Sequence, residues 1–74
     1  MINKNLIKII NLVIENNDLE LPEKIELSTH LQNDLGMDSL ILAELTVRIE
    51  DEFDIDIFEN GIVYTIQDIC DVLK

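Results

Sequence analysis

Two stretches of this chain place their apolar side chains at intervals of three and four, the repeat of a helix with one buried face. In residues 39–53 the stripe is Leu42, Leu45, Ile49 and Phe53. In residues 3–16 the polar stripe is Lys4, Lys8, Asn11 and Glu15, with Leu6, Ile9, Ile10, Val13 and Ile14 around the rest. A third, shorter stripe runs through Ile66, Ile69, Cys70 and Leu73. The only strand-like alternation, in residues 54–57, pairs Ile55 and Ile57 with Asp54 and Asp56, and a lone strand has no partner. A sheet protein is therefore excluded, and the expected architecture is an all-α small bundle.

Local chemistry marks where these helices begin and end. Asn3 caps the first, and Asn16, Asn17, Asp18 and then Pro22 stop it. Asp38 and Ser39 cap the second, with Gly36 two residues earlier at a sharp turn. Thr65 and Asp68 form a capping box for the last. Residues 17–38 are longer than the roughly 15-residue limit of ordinary structureless loops. They carry Leu19, Leu21, Ile25, Leu27, Leu31 and Leu35 at intervals, which predicts a connection pinned to the core with a helical turn near residues 29–33. A short helical turn at residues 58–60, closed by Gly61, completes a four-helix bundle of three main helices, a short third one and a long first loop. On the outside of the second helix Glu44, Arg48 and Glu52 are spaced for an i, i+4 ladder.

Charge narrows the function. The 74 residues carry 16 acids against 5 bases, a formal net charge of −11. Residues 34–59 alone hold nine acids and one base, Arg48, which is −8 of that total. Such an excess opposes binding to nucleic acid, whose phosphates need Lys and Arg. It also opposes an anionic membrane surface. Basic protein partners are the expectation. No apolar run approaches the ~20 residues of a membrane span, and the N-terminus has no cleavable signal pattern, so a cytoplasmic location is expected. A single cysteine, Cys70, forms no internal disulfide. The chain reads as one domain, residues 1–74, and as a monomer.

The stretch Asp34-Leu35-Gly36-Met37-Asp38-Ser39-Leu40 sets a serine hydroxyl at a helix start, after a glycine turn, in the most acidic part of the chain. A helix N-terminus has free N–H groups and a partial positive charge that favour an anion such as a phosphodiester. On spacing alone Ser39 and Asp38 read equally as plain capping residues.

Those residues resemble the acyl carrier protein family, whose D-L-G-x-D-S-L signature stands here as Asp34 to Leu40. The acidic-aromatic helix end Glu50-Asp51-Glu52-Phe53, the long first loop and the Thr-led last helix extend the likeness over nearly the whole chain. The resemblance implies a 4′-phosphopantetheine arm on Ser39, added by a phosphopantetheinyl transferase, with acyl groups carried on its thiol as thioesters. It implies that Asp38 positions that serine. It makes the second helix the recognition helix, with Leu40, Ile41, Glu44, Val47, Glu50 and Asp51 meeting partners. Those partners would be an acyl-loading ligase or acyltransferase and a ketosynthase or other acyl-processing enzymes with basic docking patches. Elongated cargo would fold back among Ile41, Leu42, Leu45, Ile57, Phe58 and Ile62.

Three departures accompany the likeness. Ile41 stands where fatty-acid-type carriers usually have an acid, which predicts an exposed apolar residue beside the arm. Arg48 stands where a small or neutral residue is common, and the segment between Phe53 and Thr65 is shorter. They point to a free-standing carrier of a polyketide or hybrid peptide pathway, with fatty-acid synthesis as the alternative.

Other functions fare worse. An EF-hand frame begun at Asp54 has Glu59 at the glycine position, and one begun at Asp34 has Leu45 at the glutamate position. His30 is the only histidine, no Gly-x-Ser-x-Gly elbow surrounds Ser39, and Cys70 sits on an apolar stripe as a structural thiol. A carrier needs no catalytic base. An acidic helical interaction module without a prosthetic group is the remaining rival.

Overall fold

The computed structural model describes residues 2–59 and 61–73. Among them are three helices, α1 (Lys4–Asn16), α2 (Ser39–Phe53) and α3 (Ile66–Val72). The all-α architecture expected from the spacing is the one observed.

The helix boundaries follow from local hydrogen bonds. Asn3 Oδ1 accepts from the N–H groups of Asn5 (2.7 Å) and Leu6 (3.4 Å), capping α1. At its other end the Asn17 side chain donates to the Val13 carbonyl at 2.8 Å, and Asp18 turns left-handed (φ 55°). Leu6, Ile10, Val13 and Ile14 form its buried face. α2 ends at Asp54, also left-handed (φ 59°), whose N–H returns to the Glu50 carbonyl at 2.8 Å. Leu45 and Ile49 are its fully buried pair, and Leu42 and Phe53 pack partly against the core.

The long connection is pinned by Leu31, Leu35 and Met37, all nearly inaccessible. Leu21 and Leu27, expected to help, face solvent instead. The helical turn lies slightly later than the spacing suggested, within residues 30–36. The N–H groups of Asp34 (2.9 Å) and Leu35 (3.2 Å) reach the His30 carbonyl, and that of Gly36 reaches Gln32 at 3.0 Å. The His30 ring acts as its cap, with Nδ1 accepting from the N–H groups of Gln32 (3.2 Å) and Asn33 (3.0 Å). Gly36 closes the turn with φ +76°, a conformation that suits glycine. An added Cβ would meet only the Leu19 side chain, at 3.8 Å, so backbone conformation and not space demands glycine there.

One feature was not legible beforehand. His30 and Thr65 form an isolated antiparallel bridge. The Leu31 N–H donates to the Tyr64 carbonyl at 2.8 Å, Ile66 donates to Thr29 at 3.1 Å, and Gln67 donates to Leu27 at 2.8 Å. The start of α3 is thus tied to the connection. Its capping box is present: Thr65 Oγ1 accepts from the Asp68 N–H (3.2 Å), and Asp68 Oδ2 accepts from Thr65 (3.2 Å) and Tyr64 (2.9 Å).

The short third helix takes the form of a turn. Asp56 Oδ1 accepts from the Phe58 N–H at 2.9 Å and the Asp56 carbonyl from Glu59 at 3.2 Å. The aspartate side chain accepts two residues on, as Asn3 does at the start of α1, but the backbone bonds that follow span only three residues and the segment stays a turn. The expected element extends to Asn60, which lies outside the described residues.

Candidate functional site

Ser39 is the first residue of α2 and is exposed. Its position is fixed from both sides. Upstream, Met37 is buried in the core two residues away, and its N–H is bonded to the Leu31 carbonyl at 3.1 Å. Downstream, the Ile41 N–H donates at 2.9 Å to Oδ1 of Asp38, the extended residue (ψ −178°) just before the serine. Asp38 is therefore the cap, which leaves the serine hydroxyl outside the capping bond. By helix geometry the first-turn N–H groups of Ser39 and Leu40 have no intrahelical acceptor. An exposed hydroxyl beside such donors fits a phosphodiester.

The remaining candidates divide. Leu40 is 81% exposed and Val47 60%, unusually open for apolar side chains on a helix that also builds the core. Glu50 and Asp51 are exposed as well. Ile41 is not the exposed residue it was expected to be: it is half-buried and packs on the core, because it shares a helical face with Leu45 and Ile49. Glu44 is half-buried and occupied. Its Oε1 accepts from the Asn17 side chain and its Oε2 from Arg48 Nε, both at 3.2 Å. The Asn17 bond first, and then Arg48, hold its carboxyl below the ordinary glutamate range. The ladder expected to continue to Glu52 does not do so: Glu52 accepts from the Asn5 side chain at 3.2 Å.

Beside Ser39 lies an open groove of about 560 Å³. One wall is a stripe of α2, formed by Ser39, Leu42, Ala43, Thr46 and Val47, and Phe58 and Ile62 face it. Gln32 and Asp56 contribute polar groups. Leu42, Phe58 and Ile62 were expected here. Leu45 and Ile57 are instead fully buried in the core behind. Ala43 and Thr46 share the helical spacing of Ser39 and Leu42 and were readable from it; Gln32 and Asp56 arrive from other segments and were not.

Three other titratable groups, His30, Cys70 and Asp68, have structural surroundings. His30 caps a turn, with Tyr64 nearby (ring centroids 6.1 Å apart). Burial pushes the Cys70 thiol up, away from nucleophilic use. Two backbone N–H groups, of Tyr64 and Thr65, hold the Asp68 carboxyl down. Among the described residues no three His, Cys, Asp or Glu side chains gather as a metal site would require. Likewise no helix is long and apolar enough to cross a membrane.

Comparison with known proteins agrees with this geometry. A family described as "Phosphopantetheine attachment site" matches residues 8–73. The acyl carrier protein of Syntrophus aciditrophicus (strain SB) is 38% identical over 69 residues, covering 90% of this chain and 85% of that one. The acyl carrier protein of Trieres chinensis is 40% identical over 53 residues, 69% of this chain and 66% of that one. That of Bdellovibrio bacteriovorus (strain ATCC 15356 / DSM 50701 / NCIMB 9529 / HD100) is 30% identical over 69 residues, 90% of this chain and 87% of that one. No solved structure matches the chain as a relative. With two relatives covering nine-tenths of its length and the attachment-site family covering nearly all of it, the chain belongs to the acyl carrier proteins, carriers rather than catalysts, which bear a covalent 4′-phosphopantetheine.

Proposed function

We propose that Ser39 is the residue that takes the arm, and that residues 1–74 act as a single carrier domain. The observation that carries this reading is Ser39 itself: exposed, at the start of α2, with the capping bond made by its neighbour Asp38. A transferase reaches the hydroxyl without opening the fold. Once attached, the arm supplies a thiol that holds acyl groups as thioesters. The chain contributes the placement: Met37 and the Asp38 cap fix the attachment point, and the first-turn N–H groups face the phosphate. Intact-mass measurement after incubation with coenzyme A and a broad-specificity transferase tests it. The chain should gain one phosphopantetheine, and Ser39→Ala should gain none. A gain that survives Ser39→Ala would sink the assignment.

The groove beside Ser39 is proposed to receive elongated cargo along Leu42, Phe58 and Ile62. Backbone resonances at these residues should shift when a medium-length acyl group is loaded. Unchanged resonances would leave the chain outside. The pathway is proposed to be a dedicated one, polyketide or hybrid peptide, on the strength of Arg48 and of Ile41 in place of an acid. Efficient malonyl loading by a fatty-acid-type malonyltransferase would favour fatty-acid synthesis instead. A cytoplasmic monomer fits the acidic surface, and gel filtration coupled to light scattering would expose an oligomer.

A further inference from the structure

An enzyme that acts on Ser39 approaches the start of α2, and the exposed face of that helix lies next to it. That face contains Leu40, Glu44, Val47, Arg48 and Asp51, whose spacing places them on one side of the helix. Its charge is uneven. Asp38 lies beside Ser39, while Glu50 and Asp51 lie about 17 Å away at a rise of ~1.5 Å per residue. Along α2 between them the only acid is Glu44, and both of its oxygens are in use, one by Asn17 and one by Arg48, while Asp56 lines the groove with Ser39 and Val47. The two partners of the ion pair keep side-chain exposures of 33% and 37%, so an approaching protein meets both. Arg48 is also the one base among residues 34–59.

We infer that Arg48 is a specificity-determining residue: by neutralising Glu44 it divides the outer face of α2 into an acidic start, a neutral apolar middle at Leu40 and Val47, and an acidic end, and so handicaps enzymes whose basic residues need a free acid at Glu44. The partners favoured are those with an apolar contact over Leu40 and Val47 and basic residues set wide apart. At physiological ionic strength charges further apart than ~8 Å are largely screened. The acidic end of α2 therefore does not substitute for Glu44 near Ser39. The inference rests on the assignment of Ser39 as the loading site.

Loading kinetics decide it, with the full chain, coenzyme A and a purified phosphopantetheinyl transferase whose carrier-binding cleft is lined by Lys and Arg. Arg48→Ala should raise kcat/KM at least about threefold at low salt, through KM, and the gain should fade at high salt. Glu44→Gln, which leaves Arg48 uncompensated, should move kcat/KM the opposite way. Arg48→Lys, which keeps the charge, should stay with the parent chain. Arg48→Gln serves in place of the alanine variant should that one fail to fold. Loading that ignores Arg48 in variants that melt with the parent overturns the inference, as does a lysine variant that behaves like the alanine one. No loading of the unaltered chain overturns the Ser39 assignment and this inference with it.

Discussion

Asp38→Ala isolates the device that holds Ser39. In the structure the Asp38 side chain does one thing for the fold: its Oδ1 accepts the Ile41 N–H at 2.9 Å. Removing an N-cap acceptor costs about 1 kcal/mol, with a range of about 0.5–2. A chain of 74 residues, at about 0.05–0.15 kcal/mol per residue, has only about 4–11 kcal/mol in total. The loss should therefore lower Tm by about 4–8 °C. Asp38→Asn and Asp38→Ser keep an acceptor and should recover more than half of that loss. Thermal melts by circular dichroism measure the first effect. Transferase loading measures the second, because a frayed first turn leaves the Ser39 hydroxyl without a fixed position. The alanine variant should load several-fold more slowly, with asparagine in between. If Asp38→Ala melts within about a degree of the parent, the bond does not hold the first turn of α2, and the reasoning from cap to placement fails. If the asparagine variant melts like the parent yet loads as slowly as alanine, the carboxylate acts through its charge on the transferase and not through the cap.

Two further outcomes follow from the charges. Asp68 is more acidic when folded, because it accepts from Tyr64 and Thr65, so its contribution is present above the ordinary carboxylate range and disappears as pH falls through its lowered folded value. Below about pH 4 the parent chain should lose the Asp68 contribution, and Asp68→Asn, which accepts without titrating, should lack that part of the pH dependence; an identical pH profile for both would contradict the assignment. With a net charge of −11, of which −8 falls in residues 34–59, added salt should raise Tm by relieving self-repulsion, and a Tm flat from about 20 mM to 500 mM sodium chloride would contradict it.

What the sequence disclosed, and what it withheld, divides by distance along the chain. Asn3, Asp38 and the Thr65–Asp68 pair bond within three residues of themselves, so the starts of all three helices could be read directly. The serine and its cap belong to the same local set. Glu44 misled because its partner Asn17 lies 27 positions away. Ile41 misled because an apolar residue next to an exposed serine can still turn its side chain to the core. Leu21 and Leu27 are as apolar as Leu31, and only the path of the connection decides which of them is covered. The short third element is a turn at residues 57–59, started by the local Asp56–Phe58 bond, and the expected span ends at Asn60, outside the described residues.

The bridge between the connection and α3 has a consequence for cooperativity. Helices much shorter than ~12 residues do not hold in water unaided, and α3 has seven. Two of its first-turn donors, on Ile66 and Gln67, are satisfied by Thr29 and Leu27 of the connection. The same connection, through Leu31 and Met37, sets the approach to Ser39. The last helix and Ser39 thus belong to one folding unit, although they are distant in sequence. Undocking the connection releases both together.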